Sequence, residues 1–599
     1  MATTPKARLT ELAADLEKYL GDPDDPGSRI PFTRVLDHDE HEEYPYGFVS
    51  QLRRWGVHEY SLPAEQGGRA GNVETGFNLM RLVARRDSTT ATALVITNLS
   101  FMTVWIAGSD EQKRTLIAHM KRGGGLSWGL SERAHGSDLI ANEMRAERVA
   151  GGWLLTGEKW LIGNATVADT MVVHARTGER NGPGAYSIFL VDKWSLDADT
   201  VEELPVEKLH GLRALDLSGL RLKGAFVPDS ALVGAEGQGL EIALKSTQVA
   251  RAVISSLALS SVDTALRLTL DFTERRVLFG GTVSDVPYSR RQLVEAFADL
   301  MVADAVSLGA VRAIQAAPEQ LSVWSSVAKY LAPTLLEKTM SQLNVVIGAR
   351  YFLRAHPHYG PYQKMLRDLL VANIADGNTV VNLRNLGQQL DGLLGRATTA
   401  DDEVRAAAAE RAAVLFGMDR ELPVYDPSRQ ELFSRGLDDA VLAAPDALRR
   451  LRALAEDAKS AERDRLLRAA DVAEELLGRA GTLAGRATAL KAELGRAYAQ
   501  SAELFDLAKE YCLVHAAAAC VHTYVHSHDV LDDPLPSGAV LLLQLERLRK
   551  QLYPHEFVTD QAVVDEVMQV LRHLHRENRL FSHWQFPLAE RTDLSAAAL

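Results

Sequence analysis

Cysteine is nearly absent from this chain: Cys512 and Cys520 are the only two in 599 residues. That excludes a disulfide framework and suits a reducing compartment. No unbroken apolar run approaches the roughly 18–20 residues a bilayer-spanning helix needs, so no membrane span is expected. The opening Met1-Ala2-Thr3-Thr4-Pro5-Lys6 lacks the apolar core of a secretory leader. Glu11, Asp15 and Glu17 soon follow, which argues against an acid-poor transit peptide. A cytoplasmic protein is therefore expected. An excess of positive charge is missing too. The formal net charge is −13, which disfavours a general nucleic-acid partner. What is present, 46% hydrophobic and 24% charged residues, is ordinary globular composition. The length exceeds one ordinary domain.

Four regions are read along the chain. Residues 1–122 are helical: Leu9, Leu12, Leu16 and Leu20 recur at helical spacing, as do Leu79, Leu82 and Val83. Leu62 to Gly68 is a loop by its Pro and Gly content, and Ser109 or Asp110 caps a helix. Residues 123–235 turn β-rich, with Trp153–Thr156, Met171–His174 and Ser187–Val191 separated by turns such as Gly151-Gly152 and Asn181-Gly182-Pro183-Gly184. Residues 236–395 are helical again, with Ala252 to Phe272 free of Gly and Pro before Gly280-Gly281 and Pro287 break the pattern. Residues 396–599 form a further Ala/Leu/Arg/Glu-rich helical region. Its mixed-sign run Arg449 to Glu475 reads as a solvated face.

The run Trp128-Gly129-Leu130-Ser131-Glu132, followed by Gly136-Ser137-Asp138, carries the most information. It resembles the flavin-contacting strand and loop of the acyl-CoA dehydrogenase family. Backbone N–H groups and a hydroxyl along an extended segment suit a flavin edge, and a Gly-Ser turn lets backbone approach a pyrophosphate. Other segments resemble family motifs in the same order. They are Pro63 to Gly68, Gly108 to Lys113, Lys208–Arg213 through Pro228 as closing strands, and Gly157 to Asn164. In the last, Trp160 stands one place before the family's flavin-stacking indole, and Leu161 and Gly163 fill the family's Trp and Thr positions. Strand side chains alternate faces, so Trp160 is not expected to replace that indole.

Arg276, in Glu274 to Gly280, matches an arginine that in the family reaches the FAD pyrophosphate of a neighbouring subunit. A guanidinium fork suits phosphate oxygens, although a plain helix-end arginine is the alternative. Gly348 resembles a turn touching the same adenosine diphosphate half.

Met365 to Thr379 resembles the family's "Met-Arg-Asp … Ile-Tyr-Glu-Gly-Thr" segment, whose glutamate removes the α-proton of an acyl thioester. Asp376 takes its place, with Gly377 retained and Asn378 next. A desolvated carboxylate gains the basicity that step needs. Aspartate reaches roughly 1.5 Å less than glutamate, one methylene's length. Three readings of Asp376 stay open: base for an acyl thioester, base for another substrate, or no catalytic role. Arg251 matches an arginine near the family's base and thioester, with a structural ion pair as its alternative. Ser137 and Gly377 match thioester- and pantetheine-contacting positions, and Asn98 to Thr103, with Phe101 and Met102, are candidates for the acyl pocket. His515, His522 and His526 share one helical face and read as packed histidines, not metal ligands, because no zinc-type spacing accompanies them.

The resemblance implies a mainly α chain with a small central β-domain: a helical domain, a β-barrel-like domain and a four-helix bundle, then a C-terminal helical domain. It assigns Asp376 and Arg251 to catalysis. Trp128, Leu130, Ser131, Ser137, Leu161, Gly163, Arg276, Gly348 and Asn378 go to FAD, and Ser137, Arg251 and Gly377 to substrate. The implied function is FAD-dependent α,β-dehydrogenation of an acyl-CoA or acyl-carrier-protein thioester, in a homodimer or homotetramer. An electron-transfer flavoprotein or oxygen would accept the electrons. The alternatives are a nitroalkane-type oxidase or N-monooxygenase of the same fold, and a non-catalytic, DNA-binding homologue.

Overall fold

Polar caps start most of the N-terminal helices. In the computed structural model these are α1 (Pro5–Leu20), α2 (Phe32–His41), α3 (Tyr46–Trp55), α4 (Val73–Ala84), α5 (Ser88–Ala107) and α6 (Asp110–Lys121). Thr4, Asn72 and Asp87 accept from backbone N–H groups at the starts of α1, α4 and α5. Ser109 and Gln112 cap α6 reciprocally. The structure describes residues 4–591 apart from 70, 180, 181, 279 and 556–559; Asn181 of the expected turn and Phe279 of the Arg276 segment lie outside the described residues. The chain divides into two units: Arg34–Ala250 with Asp426–Leu432, and Met1–Thr33 with Arg251–Tyr425 and Phe433–Leu599.

The first unit contains the β-domain. Its strands are β1 (Leu126–Gly129), β2 (Arg145–Val149), β3 (Gly152–Gly163), β4 (Thr170–Arg176), β5 (Tyr186–Asp192), β6 (Val201–Leu204), β7 (Leu217–Pro228) and β8 (Leu232–Val233). They form one eight-stranded sheet in the order β6-β7-β3-β2-β4-β5-β8, with β1 parallel to β4. Alternation along β4 separates two cores: Met171 and Val173 pack with Trp153 and Phe189, whereas Val172 joins Phe101, Leu116 and Met120 of the helices. Lys208–Arg213 is turn and loop rather than closing strand, a correction to the sequence reading; its Gly and His interrupt the pairing that β7 supplies. Helix α7 (Gly239–Val253) leads out of this unit.

The second unit is helical. It holds α8 (Ser255–Arg275), the hairpin β9 (Val277–Leu278) and β10 (Gly281–Thr282), α9 (Pro287–Ala316), α10 (Leu321–Ile347), α11 (Gly360–Asp368), α12 (Val371–Ile374) and α13 (Thr379–Thr399). The remainder is α14 (Asp402–Phe416), α15 (Asp439–Leu442), α16 (Ala444–Asp457), α17 (Ser460–Leu494), α18 (Ala502–Ser527), α19 (Ala539–Leu552) and α20 (Gln561–Arg576). Every residue of α9 from Gln292 to Ala316 is buried, because α8 and α10 cover one side and α14, α18, α19 and α20 the other. The buried carboxylates of α9 are paired, as they must be out of water. Arg547 of α19 donates to Asp299 at 2.6 and 2.9 Å and to Glu295 at 2.8 Å. As expected, the Arg449–Glu475 run is largely solvated, with Arg452 reaching Asp471 and Glu474 across α16 and α17.

Two helical stretches, Ser88–Ala107 and Gly239–Arg275, are long and apolar enough to cross a membrane by length and composition. This corrects the expectation that none reaches that length. The second is 94% buried inside the protein and the first 50%, and a buried core selects the same composition as a bilayer.

The histidines of α18 are packed. His515 Nδ1 and the Tyr511 hydroxyl meet Asp438 at 2.8 and 2.7 Å. His522 Nε2 donates to Ala440 O at 3.0 Å while its ring stacks between Phe416 and His526. Burial pulls His522 down to about 3 and His526 to about 4. Each folded value lies below the unfolded one, so the unfolded chain binds more protons between them, and stability drops as pH falls below about 6.5. The unfolding free energy from denaturant titration should decline from pH 7 to pH 5, its slope approaching about 1.4 kcal/mol per pH unit for each histidine at the acid end of that range. His522→Gln should flatten that slope. An unchanged slope in the variant would place the pH sensitivity elsewhere.

Candidate active site

Two helices and a strained turn position Asp376. Helix α12 stops at Ile374, and the chain passes through Asp376 at φ +53° and Gly377 at φ +101° before Asn378 caps α13 by accepting from Val381 N–H at 3.1 Å. Aspartate tolerates the left-handed region better than most residues, and glycine enters it freely. Arg251, in the last turn of α7, donates from Nε to Asp376 O at 2.9 Å. A Cβ on Gly377 would lie 3.0 Å from both Nε and Nη2 of that guanidinium, so a side chain here would press on Arg251 as well as strain a φ that favours glycine. Asn382 Nδ2 donates to Gly377 O at 2.9 Å. Lys329 of α10, 2% exposed, donates to Ala372 O, four residues before Asp376.

Both cations thus bond the backbone of the turn and leave the carboxylate alone. Among the described residues the two carboxylate oxygens of Asp376 make no hydrogen bond, and the N–H groups of Asp376 and Gly377 donate to none. Burial raises the Asp376 pKa above its ordinary value, against the lowering pull of the Lys329 ammonium and the Arg251 guanidinium. Burial likewise pulls Lys329 down to about 8. Such a carboxylate is a stronger base than one in water, and two free N–H groups beside it can receive developing negative charge.

In the β-domain unit, a buried ion pair fixes the loop after β1. Lys159, fully buried, donates to Glu132 at 2.7 Å and to Leu130 O at 3.2 Å. Glu132 also accepts from Glu143 and Met144 N–H, and Asn142 Nδ2 donates to Leu130 O at 2.7 Å. Ser131 Oγ donates to Trp160 O at 3.1 Å. Trp128 is half-buried on β1, and Ser137 lies exposed in the turn that follows.

Strand β3 carries a bulge that alternation did not foretell. Leu161 adopts φ +58°, and the register with β7 breaks between Trp160 and Ile162. The Trp160 indole turns to Glu207, donating at 2.8 Å under the Arg133 guanidinium. Leu161 is 37% exposed at the position where the family has its indole. At Gly163 a Cβ would meet Ile96 Cδ1 at 2.4 Å, so no threonine fits there unless Ile96 moves.

Arg276 follows α8 in extended conformation and is exposed, with no ion pair or hydrogen bond to its guanidinium among the described residues. Gly348 ends α10 at φ +62°, and a Cβ there would meet no atom within 4 Å. Of the acyl-pocket candidates, Phe101 is buried beside Trp105, and Thr103 bonds Ser246 at 3.1 Å. Asn98 borders a cavity of about 10 Å³ with Arg53, His58 and Thr97, room for about one water and not for an acyl chain. The structure thus brings Asp376, Gly377 and Arg251 together. It adds Lys329 to them and, separately within the β-domain unit, shows the Glu132–Lys159 pair; the sequence reading missed both. Lys329 was detectable as the only charged residue in the buried run Leu321 to Leu336.

Three family models match in chain order: acyl-CoA dehydrogenase N-terminal domain over residues 30–124, middle domain over 127–225 and C-terminal domain over 237–390. A probable acyl-CoA dehydrogenase of Mycobacterium leprae is 24% identical over 349 residues, 58% of this chain and 88% of the relative. The butyryl-CoA dehydrogenase structure from Megasphaera elsdenii shares the fold with TM-score 0.59 at 20% identity, over 65% of this chain and 99% of its own. A Bacillus anthracis acyl-CoA dehydrogenase solved with FAD has TM-score 0.68 at 15% identity and covers 96% of this chain and 95% of its own, so its likeness extends through the C-terminal helices.

Gly377→Ala should displace Arg251 and strain the turn. The expected cost is about 1–3 kcal/mol, read as a lowered denaturant midpoint, and an unchanged midpoint would show that the turn relaxes freely.

Proposed function

Because the chain belongs to the acyl-CoA dehydrogenase family, whose members are FAD-dependent oxidoreductases, we propose that it desaturates an acyl thioester between Cα and Cβ. The observation that carries this reading is the Asp376 carboxylate, unpaired and raised in pKa beside two cations. Asp376 takes the α-proton onto a carboxylate oxygen. The N–H groups of Asp376 and Gly377 are free to donate to the thioester carbonyl, where charge builds as that proton leaves. Arg251 and Lys329 hold the turn still, and their charges oppose the effect of burial so that the carboxylate stays available as a base.

The residues fit FAD. An exposed, unpaired Arg276 suits phosphate, open space at Gly348 suits a close-lying ligand, and the Glu132–Lys159 pair fixes the loop carrying Leu130 and Ser131. By resemblance Trp128, Ser137, Leu161, Gly163 and Asn378 would complete its contacts. FAD when bound accepts the β-hydrogen as hydride. An electron-transfer flavoprotein or oxygen would then accept the electrons, and the carrier is coenzyme A or a protein-bound phosphopantetheine. A nitroalkane-type oxidase is the second reading, favoured by aspartate standing where the family has glutamate; steady peroxide formation from a nitroalkane without added acceptor would support it. The net charge of −13 weighs against a DNA-binding role.

Anaerobic mixing with a panel of acyl-CoA and acyl-carrier thioesters should bleach the flavin band with the true substrate. Asp376→Asn, with FAD content checked first, should slow that bleaching by about 10²–10⁴-fold or more. Equal rates in the variant would remove Asp376 as the base. Asp376→Glu adds reach but meets the left-handed backbone at φ +53°. A gain with ordinary acyl-CoA would show that one methylene was limiting.

The assembly we propose is a homodimer. Arg276 is free to serve a neighbour's phosphates, and the C-terminal helices occupy the outer side of α9, where a second dimer would otherwise pack. Sedimentation of the holoenzyme should give a dimer; a monomer would remove the shared cofactor site, and a tetramer the role given to the extension.

A further inference from the structure

The hairpin that carries Arg276 is too short to hold its own shape. Strands β9 and β10 have two residues each, paired Val277 with Thr282 and Leu278 with Gly281. Even full-length isolated hairpins are marginal in water. Val283 N–H closes the loop on Arg276 O at 2.9 Å, and Asp285 caps Thr282 at 2.8 Å; Val283 and Ser284 are buried at its base, but both bonds lie within the one segment and its tip is exposed.

The base of this segment packs against α8 and α9, and further support comes from the far end of the chain. Helix α20 buries Val563, Val564, Val567, Met568, Val570, Leu571 and Leu574. Its opposite face presents Asp565 and Arg572, seven residues apart and so on one side. Arg572 Nε donates to Glu274 Oε1 at 2.9 Å, and its Nη2 donates to Ser284 Oγ at 3.0 Å. Glu274 is two residues before Arg276, and Ser284 follows β10. One guanidinium therefore bridges both ends of the segment. Asp565 adds a second tie by accepting from Arg290 Nη1 at 2.9 Å, while Arg290 Nε donates to Ser284 O at 3.2 Å.

We propose that Arg572 is a positioning residue for Arg276, so that the C-terminal extension is a working part of the cofactor phosphate site. This rests on the reading of Arg276 as a phosphate ligand. The planar fork of arginine suits the task, because it can hold a carboxylate and a hydroxyl at once with fixed geometry. The extension reaches the site through charge-assisted hydrogen bonds at a loop, while the apolar face of α20 anchors it to α9.

The test is a double-mutant cycle on FAD affinity, measured by titrating full-length apoprotein with FAD and following flavin fluorescence. Arg572→Met should weaken FAD about 5- to 20-fold, and Arg276→Ala at least as much. In the Arg276→Ala background, Arg572→Met should add nothing. Ser284→Ala approaches the bridge from the other side without touching α20, and should weaken FAD in the same direction if Arg572→Met fails to fold. Hydrogen exchange supplies a readout independent of FAD: the Val283 amide should exchange faster in Arg572→Met and Ser284→Ala apoprotein than in the parent. If Arg276→Ala leaves FAD affinity unchanged, the phosphate role of Arg276 fails and the proposal falls with it. If Arg276→Ala weakens FAD while Arg572→Met and Ser284→Ala do not, or if the losses from Arg276 and Arg572 simply add, Arg276 keeps its role and the positioning role is overturned.

Discussion

Two buried cations bond the backbone around Asp376 and leave its side chain free, and the candidate chemistry depends on that choice. Had Arg251 or Lys329 paired directly with the carboxylate, the pKa would be driven down and the base spent on a structural ion pair. Bonded instead to Asp376 O and Ala372 O, the same charges fix a left-handed turn and act on the carboxylate only through space. Burial then wins and the pKa rises. Gly377 completes the arrangement, because a Cβ there would crowd the guanidinium at 3.0 Å and strain the backbone at φ +101°.

The C-terminal helices explain how a bundle helix such as α9 can be buried on every face. Helices α14, α18, α19 and α20 cover what would otherwise be an apolar outer surface. The buried ion pairs at this boundary, Arg547 with Asp299 and Glu295, match one partner to one place. Replacing either member alone would strand a buried charge. The extension is thereby specified in register as well as held by apolar area.

Some of this was readable from residues alone. The cap at Ser109, Leu9 with Leu16, and the β-rich runs at Trp153, Met171 and Ser187 became the elements they announced. These signals are local: a cap needs only its own helix, and an alternating run only its own strand. The placement of Asp376 before Gly377 was legible by resemblance. The bulge at Leu161 was not, because a bulge is a mismatch between two strands and only β3 was being read. The neighbours of Phe101 were not legible for a related reason. Periodicity puts a residue on a helix face but not on the face that meets a ligand, and this one meets Trp105 and the β4 side of the core.

Sequence by itself determined the order of helical and β-rich regions, the scarcity of thiols and the negative charge, since each depends on neighbouring residues or on composition. Tertiary structure decided the rest. It brought Lys329 to Ala372 across 43 residues and Arg251 to Asp376 across 125, and it set Arg572 against Glu274 across 298. It also settled that Trp160 faces Glu207. Such contacts join residues with no shared periodicity or local hydrogen bond, so no pattern along the chain encodes them. They exist because packing buries charges that must then find partners, and which partners are within reach is known only once the helices have docked.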